Sequence, residues 1–479
     1  MSLLIENGTV LTTGPAPAVL PNHSVLIEDG VITRVAPARR LKSPAGKRID
    51  ASGKVVAPGF INAHTHFYST FARGLTKAKP AGDFVQVLKN LWWRLDSALT
   101  TEDCYYSALV PLLEAIRHGT TTLIDHHASP QAVRGSLAAI EKAVRQSGLR
   151  ACLCYELSDR DGARVSREGL EENVSFIRHC QRANRPHPAP PTPVQSAKPK
   201  DSASQRSAKP KQIGYRPSAI GYPPHLAALF GLHAAFTLKD ATLEKAAALG
   251  QELGTGFHIH VAEALSDQQH SLRKHRIRVV ERLNKFGILG PRSIAAHCVH
   301  VNRRELEILA ETETAVVHNP QSNLNNAVGV ANLLAMAQRK VLVGLGTDAM
   351  TTHMLEELRV ALWAQHLRAR NPSVAFGEVV TALLINNPKI ASRVFNLPLG
   401  ELREGCAGDL VLIDYDPPTP LDANSRFGHL VFGISQATVD TTIVGGRVLM
   451  QNKRLTLNLD EPRINARARE LAARLWKRL

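Results

Sequence analysis

The 479 residues are 44% hydrophobic and 21% charged with a mean hydropathy of -0.12, which excludes a disordered chain and a membrane-embedded one and allows one large domain beside a smaller one. The formal charge of +16 is unevenly placed, 11 of it in segments 185–218 and 463–479, with no basic and aromatic run of the kind that binds nucleic acid, so nucleic acid is not an expected partner. No apolar run nears the ~20 residues that span a bilayer, and the six cysteines form no C-x-x-C pair, leaving free thiols rather than a zinc knuckle or a disulfide framework.

The first stretch, MSLLIENGTVLTTG, has no basic segment ahead of an apolar one. It reads as a strand rather than a signal peptide, and the protein is expected in the cytoplasm. Alternating apolar and polar positions continue through SVLIEDGVITRVAP and return near the end in GDLVLIDYDPP and DTTIVGGRVLM. Short antiparallel strands follow from that period. Residues 1–58 and 400–479 are therefore expected to pair into one small β-sandwich domain that also carries a basic C-terminal helix.

Between the two ends, eight buried-looking runs alternate with amphipathic stretches: VVAPGFINAHTH, TTTLIDHH, LRACLCYE, AALFGLHA, GFHIHVAE, SIAAHCVH, TAVVHNP and KVLVGLGTD. Eight such βα units predict an α/β fold, a (β/α)8 TIM barrel over 59–399. Polar residues gather at the C-terminal end of almost every run, where such a barrel builds its active site. Segment 185–218 breaks the pattern, being rich in Pro, Lys, Ser and Gln and repeating SAKPK at 196–200 and 207–211. It is expected to be a disordered basic insert on the barrel face opposite the site. A surface insertion explains it, and a binding module for nucleic acid or an anionic partner, working through this insert and the basic tail, is the reading of a different class.

In a strand, residues two apart share a face, so His64 and His66 in Phe60-Ile-Asn-Ala-His-Thr-His both face the barrel mouth and make half a metal site. Other strand ends supply His260, His297 and Asp348. These motifs, with VVHNPQSNLNN, GLGTDAM and the closing GDLVLIDY, resemble the amidohydrolase superfamily in its cytosine deaminase and ATZ/TRZ aminohydrolase branch. FARGL, LKNLWWRLDSAL, LIDHHASP, SNLNNAVG and DYDPPTPL are similar to SsnA-type aminohydrolases.

That resemblance implies one divalent metal ion bound by His64, His66, His260 and Asp348, zinc by default and iron as the alternative. It implies that the ion activates a water as nucleophile, that Asp348 accepts its proton, and that Glu263 carries a proton to a ring nitrogen and then to the leaving amine. His297 would polarise the water or the developing oxyanion without ligating. Strand four ends in Gly231-Leu-His233, without the lysine or glutamate that bridges two ions in other members, so one metal is expected and His233 is expected to touch substrate. Ala349 follows Asp348 where many relatives have glycine. Arg73, Trp92, Trp93 and Arg94 lie in the segment expected to lid the pocket, and Asn323 and Asn325 after strand seven; aromatic, guanidinium and amide groups there suit a planar, oxygen-rich heterocycle. Helix packing explains Trp92 and Trp93 equally, and His126 and His127 could support the ligands or touch substrate. The implied reaction is hydrolysis of a non-peptide C–N bond: deamination of an amino-purine, amino-pyrimidine or triazine-like ring, with cyclic-amide opening at the same site as the alternative. A homodimer is expected from the same resemblance.

Overall fold

The computed structural model describes residues 2–14, 17–41, 46–76, 78–184 and 225–479. The insert expected over 185–218 lies outside the described residues.

The two ends of the chain build one hydrogen-bonded sheet. Its strands are β1 (Ser2–Leu11), β2 (Val19–Glu28), β3 (Val31–Pro37), β4 (Lys47–Asp50) and β5 (Lys54–Pro58). The later part of the chain supplies β15 (Leu410–Asp414), β16 (Thr438–Val444), β17 (Arg447–Gln451) and β18 (Arg454–Leu455). The two halves join where β5 pairs antiparallel with β15, Val56 opposite Leu412. Along β1, Leu3 to Glu6 pair with β4 whereas Thr9 and Val10 pair with β5, with a register shift near Asn7, whose φ is 65°. Ile5, Val10, Ile27, Val56, Leu410, Leu412 and Ile443 bury their side chains together in one core, as the period-2 pattern dictates.

The intervening chain forms parallel strands: β6 (Phe60–Thr65), β7 (Thr120–Asp125), β8 (Arg150–Leu153), β9 (Leu226–Ala228), β10 (Phe230–Ala234), β11 (Phe257–Val261), β12 (Ile294–His297), β13 (Ala315–His318) and β14 (Val343–Leu345). β9 pairs with β8 and β10 with β11, so the fourth expected run makes one barrel strand in two pieces around Leu229. The barrel closes between its last and first strands: the Thr347 and Asp348 amides donate to the His64 carbonyl at 2.9 and 3.0 Å. Nearly every residue of these strands is buried, which explains their continuous apolar texture. Gly346 is required at the closure, because a Cβ there would fall 2.8 Å from His64 Cβ and 2.6 Å from Asn319 Oδ1.

The C-terminal helix Glu461–Arg478 buries Ala468, Leu471 and Leu475 and lies against the segment that follows β6. Trp476 Nε1 donates to the Phe71 carbonyl at 2.7 Å, Arg478 pairs with Asp103 at 2.6 Å and Arg467 with Glu102 at 2.7 Å. Much of the tail's basicity is thus matched within the molecule. No helix among the described residues is long and apolar enough to cross a membrane.

Candidate metal centre and active site

The C-terminal ends of β6, β11 and β14 bring four side chains to one point. His66 donates from Nδ1 to the His126 carbonyl at 2.5 Å, and His260 from Nδ1 to the His233 carbonyl at 2.8 Å. His64 Nδ1 shares a hydrogen bond with His258 Nε2 at 2.9 Å. Each imidazole therefore has its Nδ1 engaged and turns Nε2 inward, the arrangement that orients histidines on metals. His66 Nε2 lies 3.1 Å from His260 Nε2 and 3.0 Å from Asp348 Oδ1, which is 3.7 Å from His64 Nε2. Ligands at about 2.05 Å around a tetrahedral zinc stand roughly 3.3 Å apart, so these spacings fit one ion. His64 Nε2 is also buried with no hydrogen-bond partner, a cost that a bound cation removes.

Backbone conformation aims these groups. Ala262, His297, Cys298 and Asp348 hold left-handed φ values of 47, 72, 51 and 52°, each costing about 1 kcal/mol or more for a side chain with a Cβ. Asp348, kinked in this way, sends Oδ1 to the histidines and accepts on Oδ2 from the Ser322 hydroxyl. Ala349 follows as part of the pocket wall.

Electrostatics divide the site into groups with distinct protonation. Burial favours the neutral acid of Asp348, but the imidazoles of His64 and His66 beside it outweigh it and hold its carboxyl well below the usual range. Burial pushes Glu263 the other way, well above its ordinary value, reinforced by the charges of Asp348 and Asp267. Glu263 Oε2 is 3.5 Å from His297 Nε2, and Asn326 Nδ2 reaches Glu263 Oε1 at 3.3 Å. Burial lowers His297 to about 3, so its ring is neutral. Asn323 Nδ2 donates to His297 Nδ1 at 2.8 Å, which places the remaining proton on Nε2, facing Glu263 and Asp348.

The pocket over this cluster is lined by Tyr68, Phe84, Leu88, Trp92, Trp93, Asp96, Glu156, Arg160, His233, Phe236, Asp267 and Asn326 among others. A π-helical turn over Leu88–Trp92 delivers both tryptophans to it. Of the residues expected to contact substrate, His233 and Trp93 stand in this wall, their ring centroids 6.4 Å apart. Arg73 stands elsewhere: Glu114 holds its guanidinium at 2.6 and 2.7 Å, and its side chain is 47% exposed. His126 is buried behind the ligands with Nε2 on the His258 carbonyl at 3.1 Å. Asn323 lies beneath His297 rather than in the wall. Arg94 bonds the carbonyl of Leu479, Asn325 bonds Asn326 at the surface, and His127 contacts Ser129 at 3.0 Å.

Glu156, Arg160, Asp96 and Asn326 escaped the sequence reading. Glu156 closes the third run, LRACLCYE, and the rule that strand ends carry the chemistry reaches it. It sits 3.3 Å from His66 Nδ1 and 3.8 Å from His233 Nε2, and burial raises its carboxyl to about 7 against the opposing charge of His66.

Comparison with known proteins agrees with this geometry. The model of the Amidohydrolase family matches residues 55–449. The 5'-deoxyadenosine deaminase of Methanobrevibacter smithii is 30% identical over 435 residues, covering 90% of this chain and 88% of its own. The 5-methylthioadenosine/S-adenosylhomocysteine deaminase of Pelotomaculum thermopropionicum is 29% identical, covering 100% and 99%. Among solved structures, an adenosine deaminase from Xanthomonas campestris with bound zinc superposes with a TM-score of 0.80 at 22% identity, over 99% of this chain and 98% of its own. Atrazine chlorohydrolase TrzN from Arthrobacter aurescens TC1, complexed with zinc, gives 0.77 at 21%, over 98% and 100%. At those identities the structural likeness shows the barrel fold with its flanking β domain.

Proposed function

The chain belongs to the amidohydrolase family, and on that premise we propose that it releases ammonia from an amino-bearing heterocycle of small size, with His64, His66, His260 and Asp348 holding one divalent ion, zinc by default. It is a hydrolase of carbon–nitrogen bonds other than peptide bonds. The observation that carries the reading is the convergence of three Nε2 atoms and Asp348 Oδ1 beside a buried Glu263. A divalent ion held there would supply Lewis acidity, bringing the pKa of a water down to about 7.

The chain's own residues do the rest. Water oxygen bonds to the amino-bearing carbon while one water proton goes to the ring nitrogen and the other to the amine, which leaves as ammonia. Asp348, ionised and next to the reacting centre, accepts the water's proton. Glu263, held protonated by burial, donates to the ring nitrogen, is recharged by the proton that Asp348 took and passes it to the leaving amine, and the proton of the new hydroxyl restores Glu263 as the carbonyl forms. His297 donates from Nε2 to the oxygen arriving on the carbon. Trp92, Trp93 and Phe84 close the pocket wall and limit water. Relatives named as deaminases of adenosine derivatives support ammonia release over cyclic-amide opening.

The small-molecule substrate is the one partner this reading requires. Cytoplasmic location and a homodimer complete the proposal; the dimer is supported by Trp363, Leu367 and Phe432, 47, 74 and 56% exposed, large apolar side chains that self-association would cover. Assaying purified, metal-loaded protein for ammonia against a panel of amino-purines and amino-pyrimidines tests the reaction. Ring-opened product from a cyclic amide without ammonia would reject it.

A further inference from the structure

Among the described residues the pocket wall holds one guanidinium, and its setting is unusual. Arg160 lies in the turn after β8 with its side chain 12% exposed, lining the same cavity as His66, Glu263 and Asp348. Its Nη2 is taken by Asp96 and its Nε by Asp161 at 2.7 Å. Its plane lies over Trp93, 5.2 Å from the ring centroid. Among the described residues the hydrogen bonds of Arg160 run from Nε and Nη2, which leaves Nη1 open to a ligand, and Trp93 Nε1 is buried with no partner. A guanidinium fixed on two sides has lost the freedom to seek another partner.

Wall contacts relate Arg160 to the metal cluster. From His66, Glu156 is 3.3 Å away, His233 stands 3.8 Å beyond it, and Trp93 packs edge-on against His233. A planar ring seated with one edge at Glu263 and the cluster can therefore present another edge to Arg160. Charge narrows the acceptor. Asp96 and Asp161 already pair with Arg160, so it offers a hydrogen bond rather than a net positive charge. That suits a neutral carbonyl oxygen better than a carboxylate or phosphate, which calls for an uncompensated cation.

We propose that Arg160 sets the substrate class: a neutral amino-heterocycle that carries a ring oxo group, whose oxygen accepts from Arg160 Nη1 while the amino-bearing carbon faces Glu263. This rests on the deaminase reading and goes beyond it, since an adenine-type ring has no such oxygen.

The test compares guanine and cytosine, which carry the oxo group, with adenine and 5'-deoxyadenosine, which do not, using zinc-loaded wild type, Arg160→Gln and the pair Arg160→Gln/Asp96→Asn. The pair keeps Asp96 from being buried without its cation if the single variant folds poorly. Wild type should favour an oxo-bearing ring in kcat/KM, and the variants should lower that value about 10- to 100-fold, as loss of a hydrogen bond from a charged donor predicts, with the oxygen-free rings held within about threefold. Calorimetric binding of the same rings to Glu263→Gln protein should rank them in the same order. A preference for adenine or 5'-deoxyadenosine, or an equal loss for both classes in the variants, would overturn the inference and leave deamination standing. No ammonia from any ring by the metal-loaded protein would remove the deaminase reading and the inference with it.

Discussion

His66 and His260 face each other through their Nε2 atoms at 3.1 Å, each with its Nδ1 already donating to a backbone carbonyl. Two imidazole nitrogens at that distance need a proton or a metal cation between them, and Asp348 completes the cradle on the same side.

Removing the metal should therefore destabilise the protein. Zinc restored at about a thousand times its Kd adds ~4 kcal/mol, read as a higher unfolding midpoint. Burial disfavours a charge on His66, yet Asp348 and Glu156 raise it to about 9, while burial lowers His64 to about 4. Uptake near neutral pH then displaces one proton, and zinc affinity measured by chelator competition should rise about tenfold per pH unit between 6 and 8. A flat profile would show that uptake displaces no proton from His66.

Glu263→Gln keeps the shape of the side chain and removes its proton exchange. We expect metal content unchanged and kcat lowered by about 10²- to 10⁴-fold. Turnover at the wild-type rate would take Glu263 out of the mechanism.

In the proposed mechanism Glu263 acts first as an acid, so kcat/KM should fall on the alkaline side as its proton is lost. Asp267 is one of the charges that raise it. Neutralising that charge with Asp267→Asn favours ionisation of Glu263, so the alkaline limb should move to lower pH. A shift upward, or none, contradicts the assignment.

Asn323 fixes the tautomer of His297 by donating to Nδ1. Asn323→Asp accepts a proton from Nδ1 instead and turns Nε2 from donor to acceptor. The expected result is a fall in kcat of about 10- to 100-fold with KM and zinc content little changed. Equal losses in kcat and metal content would point to a structural role.

Arg150 on β8 and Asp409 form a buried ion pair at 2.6 Å that ties the barrel to the strand-rich ends, and Asp409 also accepts from the Gly445 amide at 2.7 Å. Arg150→Ala leaves that carboxylate without its cation and should cost about 3–5 kcal/mol. Urea unfolding should show it as a lower midpoint, with zinc-loaded activity per folded molecule unaltered.

The barrel was readable because each strand is buried on both faces, so runs such as TTTLIDHH and SIAAHCVH stand out without any alternation. His64 and His66 were readable for a simpler reason, the two-residue period of a strand. What escaped depends on where a loop folds back. Arg73 and Arg160 both sit in turns with no periodicity, and only the fold shows that Glu114 captures one while Asp96 draws the other into the pocket. Asn323 reads as a wall residue from its place after strand seven, but the helix Pro320–Asn325 turns it under His297.

The central claim is a single metal ion held by His64, His66, His260 and Asp348 and used to release ammonia. Elemental analysis of protein purified without chelators, run beside an ammonia assay over amino-purines and amino-pyrimidines, tests it most directly. The account predicts about one zinc or iron per chain, lost in His260→Ala together with all ammonia release. Wild-type protein that carries no metal, or a His260→Ala variant that keeps both metal and turnover, would contradict it.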